Sequence, residues 1–150
     1  MPLSALLVFL VIGALLGAVV VSAFALFEWS LPVTPWTMSL MLAVLGVAAV
    51  WRARWLTRQY ARPETRPDPR VGVVSFATAR SATLIGLLLA GGHLSYVAWQ
   101  LGRLDVDLYR ERAVQGGLAV LGSLVMVAGA QLLERACKVP DDPEGDADQA

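Results

Sequence analysis

Charged residues divide the chain into four long apolar runs. The runs extend over Leu3–Phe27, Trp29–Trp51, Ser81–Gly102 and Ala113–Leu133. Each is at least as long as the roughly 20 residues that cross the hydrocarbon core of a bilayer. A segment in lipid must satisfy its own backbone hydrogen bonds, and runs that are apolar throughout, not at alternate positions, favour helices over barrel strands. The pattern therefore predicts an all-α integral membrane protein.

Four transmembrane helices are predicted at about 3–27, 36–56, 73–102 and 112–136. They form one domain over residues 1–140, and Pro32 and Pro35 explain why the second helix starts late in its run. Because the connections are short, we expect a four-helix bundle in which sequential helices are antiparallel neighbours. The first run contains Val21-Ser22-Ala23, which resembles a signal-peptide cleavage site, but it exceeds the length of a signal core. An uncleaved first helix is therefore predicted.

Composition excludes several classes of protein. Hydrophobic residues make up 57% of the chain and charged residues 16%, whereas soluble domains contain about 45–50% and about 25% respectively. This composition excludes a soluble enzyme and a nucleic-acid-binding protein, so no nucleic-acid partner is expected. A single cysteine excludes an intrachain disulfide.

Basic residues are concentrated at one end of the predicted bundle. The connection between the second and third helices and the C-terminal segment hold nine Lys and Arg residues, against three in the other two connections. Cytoplasmic connections carry the excess of Lys and Arg, which places both termini in the cytoplasm. Aromatic residues, among them Trp51, Trp55 and Tyr60, mark the inner boundary of the membrane.

The net charge of zero conceals a separation of opposite charges along the chain. Residues 52–80 hold seven arginines and two acidic residues, whereas residues 134–150 hold six acidic and two basic residues. Residues 141–150 are predicted to be an acidic disordered tail. Such a tail stays solvated, binds a cytoplasmic partner or folds back onto the arginine-rich connection.

Three arginines of the basic connection share a helical spacing. Arg54, Arg58 and Arg62 recur every four residues and form one stripe if the second helix continues past Trp51. One interpretation is that this stripe contacts anionic lipid headgroups, which makes the bilayer surface a binding partner. The other is that the arginines determine membrane orientation and do nothing more.

The four apolar runs contain no Asp, Glu, Lys or Arg, and His93 is the ionisable candidate near their middle. It directly follows two glycines, and we expect it to hydrogen-bond across a glycine-lined helix contact. A small residue at every fourth position allows two helix backbones to approach closely. The residues predicted to pack helices against one another are Gly13, Gly17, Gly91, Gly92, His93 and Gly122.

A candidate ion pair joins the third and fourth helices. Arg80 precedes the charge-free part of the third helix, and Glu134 follows the apolar run of the fourth. Antiparallel helices bring the two residues to a similar depth, where a partly buried pair fixes the register. Alternatively, Arg80 extends to the headgroups and Glu134 is solvated.

No catalytic triad order, metal-ligand spacing, phosphate-binding loop or dinucleotide fingerprint occurs in the sequence. We therefore expect no enzymatic activity and no cofactor. The leading interpretation is an interaction or accessory subunit, with a membrane-protein partner or a second copy of the chain. A small oligomeric transporter or channel component around His93 is the alternative. A membrane enzyme acting on lipids ranks third.

The segment at the end of the fourth helix, Leu133-Glu134-Arg135-Ala136-Cys137-Lys138-Val139-Pro140, resembles the actinobacterial membrane family catalogued as domain of unknown function 3180. Arg80, in its small-residue context at the entry to the third helix, agrees with the same family, as do the four spans and the arginine-rich connection. The resemblance implies a multi-pass protein of the bacterial inner membrane. It implies no activity, because the family has none assigned.

Overall fold

The computed structural model describes residues 3–29, 33–61, 68–102 and 104–137. Its helices are α1 (Leu3–Leu26), α2 (Trp36–Tyr60), α3 (Pro69–Leu101) and α4 (Asp107–Ala136). All four are long and apolar enough to cross a membrane, and the described residues form no strand. The predicted all-α, four-helix class is thus confirmed, and these helices indicate a membrane protein.

Three helices extend further than the apolar runs indicate, and local polar contacts support the starts of two of them. Helix α3 begins at Pro69 and not at about 73, since the Asp68 carboxylate accepts a hydrogen bond from the Arg70 amide at 2.8 Å. Helix α4 begins at Asp107, whose carboxylate lies 2.6 Å from the Arg110 guanidinium. Helix α2 continues to Tyr60.

Helices α1 and α3 run parallel, as do α2 and α4. In the first pair, Gly13 meets Leu88 and Gly17 meets Gly92, so positions increase together along both helices. In the second pair the same holds, since Gly122 of α4 meets Ser39 of α2, and Gly129 meets Gly46 seven residues further along each helix.

Helices α3 and α4 run antiparallel and form the centre of the bundle. The Gln131 amide donates a hydrogen bond to the Thr83 hydroxyl at 3.3 Å, and Gly116 meets Tyr96 closer to the other end. The helices therefore lie in the order α1, α3, α4, α2, and each extensive contact joins neighbours in that order.

This order differs from the expected packing of sequential helices. Consecutive helices do run in opposite directions, but of the sequential pairs only α3 and α4 make an extensive contact among the described residues. The reason lies in the small residues. Glycines let α1 approach α3 and let α2 approach α4 to backbone contact. Connection length does not determine such approaches.

A compact hydrophobic cluster joins α2, α3 and α4 near the C-terminal ends of α2 and α4. It consists of the buried side chains of Ala53, Leu56, Ala79 and Leu133. By contrast, α1 has two buried residues, Gly13 and Val21. Large apolar side chains such as Leu15 and Val19 point outward, as expected of surfaces that face hydrocarbon. We call the end of the bundle that holds this cluster the arginine end.

Candidate functional site

A cleft of about 650 Å³ lies between α2 and α4 at the arginine end. We call it the arginine cleft. Its lining consists of Val50, Ala53, Arg54, Thr57, Arg58, Leu132, Arg135 and Ala136. None of these eight residues is a carboxylate, a histidine or a cysteine. The lining therefore offers hydrogen-bond donors and positive charge, which suit the binding of an anion.

The lining changes from apolar to basic along the helix axes. On α2, Val50 comes before Arg54 and Arg58, and on α4, Leu132 comes before Arg135. Because the two helices run parallel, their basic residues lie at the same end of the cleft. The cleft thus has an apolar half towards the middle of the bundle and a basic half towards its end.

Helix geometry places the three arginines at one end of the cleft. Arg54 and Arg58 are four residues apart, so they share one face of α2. Arg135 lies in the last turn of α4, where positive charge interacts favourably with the helix C-terminus. Between the two arginines of α2, the Thr57 hydroxyl donates a hydrogen bond to the Ala53 carbonyl at 3.0 Å.

Two tryptophans and a cysteine lie at the same end of the bundle. The Arg52 guanidinium lies 4.6 Å from the centroid of the Trp55 ring, a cation–π geometry. Trp51 is 77% exposed, as is common for indole rings at the level of lipid headgroups. Burial raises the pKa of the Cys137 thiol, and the Arg52 charge partly opposes this rise.

The structure brings two of the three predicted headgroup contacts together. Arg54 and Arg58 line the cleft, while Arg62 lies outside the described residues. Arg135, which the sequence pattern indicated only as a determinant of membrane orientation, is a further residue of the cleft. Its place in the cleft follows from the packing of α4 against α2, for which the sequence carried no signal beyond the glycines.

Arg80 and Glu134 lie at the same level of the α3–α4 pair, because their neighbours Ala79 and Leu133 share one buried cluster. Their side chains differ in environment. Arg80 is exposed, whereas Glu134 is 3% exposed. The ion pairs between described residues do not include one that joins these two side chains. Their pairing stays a prediction.

The polar bond across the α1–α3 contact comes from a residue other than His93. The His93 Nδ1 atom lies 2.8 Å from the Leu89 carbonyl oxygen of its own helix. Two residues further on, the Ser95 hydroxyl donates a hydrogen bond to the Ala14 carbonyl of α1 at 2.6 Å. Ser95 was not among the predicted packing residues, although a small hydroxyl residue close to two glycines is typical of close helix contacts.

The predicted packing glycines occupy two contacts. Gly13, Gly17, Gly91 and Gly92 lie between α1 and α3, whereas Gly122 lies between α4 and α2. A Cβ atom on Gly17 would lie 2.6 Å from the Gly92 carbonyl oxygen, and one on Gly122 would lie 2.6 Å from the Ser39 carbonyl oxygen. A Cβ atom on Gly92 would make an ordinary contact.

The glycine that α2 contributes, Gly46, was not among the predicted packing residues. A Cβ atom on Gly46 would lie 2.7 Å from the carbonyl carbon of Val125 in α4. Gly46 also contacts Gly129, since a Cβ atom on Gly129 would overlap the Gly46 carbonyl group. Gly46 is the single glycine of α2, and this feature of the sequence could have indicated a close helix contact.

A second group of polar residues lies at the opposite end of the α3–α4 pair. Gln100 is fully buried, and Tyr96, one turn earlier, is 8% exposed. Tyr96 contacts Gly116 and lies near Arg112 of α4. These contacts join the two central helices at the end away from the arginine cleft.

The described residues contain no group of three His, Cys, Asp or Glu side chains placed to hold a metal ion. No curated protein and no solved structure matches the chain. One protein family, described as "Protein of unknown function (DUF3180)", has a sequence model that matches residues 6–141. That match covers α2, α3, α4 and all but the first three residues of α1, and the chain therefore belongs to the DUF3180 family.

Proposed function

We propose that this protein works by binding and not by catalysis, as an interaction or accessory subunit in a bacterial inner membrane. The lining of the arginine cleft carries this proposal. It presents three guanidinium groups beside an apolar wall, and its eight residues include no general acid, general base or nucleophile with a base beside it. Such a lining recognises negative charge at a membrane surface.

The proposed orientation places the arginine end and both termini in the cytoplasm. The excess of Lys and Arg at this end supports it, because cytoplasmic segments are enriched in these residues. Trp51 and Trp55 beside the cleft agree with a position at the headgroup level. An anionic partner would then meet the cleft from the cytoplasmic leaflet or the cytoplasm.

Single-cysteine labelling tests the orientation. In a Cys137→Ser background, Ala61→Cys at the arginine end and Leu104→Cys at the opposite end each provide one exposed thiol. A membrane-impermeant maleimide on intact cells is expected to label the Leu104→Cys protein and not the Ala61→Cys protein. The reverse pattern would place the arginine end outside.

In-cell cross-linking followed by purification in mild detergent tests the binding role. The wild-type protein is expected to retain a protein partner at a fixed ratio, and Arg54→Gln/Arg58→Gln is expected to lose most of it. Arg110→Gln is the matched control, because it removes a basic side chain from the opposite end. Recovery of the bare protein from wild-type cells, or equal recovery with the double variant, contradicts the proposal.

A further inference from the structure

The arginine cleft combines two kinds of surface in one recess. Its basic half holds Arg54, Arg58 and Arg135, and its apolar half includes Val50 and Leu132. A small soluble anion would use the basic half alone. The cleft is open along one side, and its volume of about 650 Å³ leaves room for a headgroup and the start of an acyl chain. The ligand that matches both halves has an anionic group joined to an apolar chain.

The basic half has the donor groups that a phosphate diester requires. Guanidinium groups form paired hydrogen bonds with phosphate oxygens, and here three arginines line one cleft from two parallel helices. No acidic residue is present among the eight lining residues to neutralise them. The Thr57 hydroxyl lies in the same half, where its oxygen lone pairs can also accept a hydrogen bond from a headgroup hydroxyl.

The position of the cleft along the helix axes agrees with a ligand that comes from the bilayer. The exposed ring of Trp51 directly follows Val50 of the apolar half, and Trp55 follows Arg54 of the basic half. Tryptophan rings favour the boundary between headgroups and hydrocarbon. The change from apolar to basic lining therefore occurs at the level where a lipid changes from acyl chain to phosphate.

We propose that the cleft between α2 and α4 binds one anionic phospholipid. Arg54, Arg58 and Arg135 hold its phosphate, and the start of an acyl chain lies along Val50 and Leu132. This inference rests on the binding role proposed above and names the ligand of the cleft. It is tested on the purified protein alone, so loss of the lipid and loss of a protein partner are separate results.

Native mass spectrometry of the purified, delipidated protein provides the test. We expect dioctanoyl phosphatidylglycerol to bind at one equivalent, at least tenfold more tightly than dioctanoyl phosphatidylcholine. Arg58→Gln/Arg135→Gln is expected to weaken phosphatidylglycerol binding by about 10- to 30-fold. Arg58→Lys keeps the charge but loses the paired hydrogen bonds, so its loss is expected to be intermediate.

Two further measurements make the proposal falsifiable. Inorganic phosphate and glycerol phosphate, which lack acyl chains, are expected to compete weakly; competition equal to that of the lipid would overturn the acyl-chain contact. Arg110→Gln is expected to bind as the wild type does. If Arg58→Gln/Arg135→Gln keeps the wild-type melting temperature and wild-type lipid affinity, the lipid lies elsewhere and the proposal is wrong.

Discussion

The contact between α1 and α3 and the contact between α2 and α4 follow the same design and lead to different outcomes. Both join parallel helices, and both close to backbone contact at glycines, Gly17 against Gly92 in one and Gly129 against Gly46 in the other. Helix α1, however, contains no charged residue, whereas α2 continues past Gly46 into its arginines. Glycines thus determine which helices are in contact. The residues that follow each glycine contact determine whether charged side chains lie beside it.

A second difference concerns the feature that accompanies each contact. The α1–α3 contact contains the hydrogen bond from Ser95 to Ala14, which ties an edge helix to the centre. The α2–α4 contact leads instead to the cleft, whose lining is shared between the two helices. The first contact therefore serves attachment, and the second also forms a recess.

The largest effect is expected from Gly129→Ala. The added Cβ atom overlaps the Gly46 carbonyl group. Because this group is part of the backbone, no side-chain rotation can relieve the overlap, and α2 and α4 must separate. We expect a loss of about 3 kcal/mol in the free energy of unfolding, together with loss of lipid from the cleft. Thermal unfolding in detergent and native mass spectrometry measure the two effects.

The matched control is Gly117→Ala on the same helix, where a Cβ atom meets nothing within 4 Å. Alanine favours the helix over glycine by about 1 kcal/mol, so this variant is expected to be as stable as the wild type or more stable. Equal stability of the two variants would show that the α2–α4 contact is not closed at Gly129.

A smaller loss, about 1–2 kcal/mol, is expected from Gly17→Ala. The Cβ atom would lie 2.7 Å from the Gly92 Cα atom, but α1 buries little and can shift outward as an edge helix. Because the cleft belongs to the other contact, phosphatidylglycerol affinity is expected to stay at the wild-type value. A parallel fall in lipid affinity would mean that the two contacts are coupled.

Ser95→Ala removes the hydrogen bond to the Ala14 carbonyl. Hydrogen bonds between transmembrane helices contribute about 0.6 kcal/mol on average, and a loss of that size in the free energy of unfolding is expected. Ser81→Ala, an exposed serine of the same helix, serves as the control and is expected to be neutral. If both variants unfold alike, the bond contributes nothing to the attachment of α1.

The smallest effect concerns Cys137 at the arginine end. Burial raises the pKa of its thiol and the Arg52 charge lowers it, so Arg52→Gln is expected to raise that pKa further. At pH 8 less thiolate is then present, and maleimide labelling of Cys137 slows modestly. The denatured variant is the reference, where the two proteins should react at equal rates. Faster labelling of the folded variant would contradict the sign of this effect.

The four helices and their directions could be predicted from the sequence, because 20-residue charge-free runs have few alternatives in lipid. The common depth of Arg80 and Glu134 followed from the same runs. The order of the helices could not be predicted. Side chains such as Leu15 and Val19 face outward although they are as apolar as the buried Val21, so hydrophobicity does not mark the packed face.

The arginine cleft, too, could be predicted only in part from the sequence. Arg54 and Arg58 could be placed on one face from their spacing alone. Arg135 could be added only when α2 and α4 were known to be neighbours, and that depends on Gly46 accepting Gly129. Neither glycine is part of the cleft lining. The cleft is therefore a property of the assembled bundle more than of any single segment.

The positions of α1 and α2 at opposite edges of the bundle have a consequence for biosynthesis. Membrane proteins are made from the N-terminus, so α1 and α2 enter the bilayer before the helices that give them their extensive contacts. Neither can dock until α3 and α4 have followed. The bundle thus assembles as a late step, and a chain truncated after Tyr60 would leave α1 and α2 in lipid without their extensive contacts.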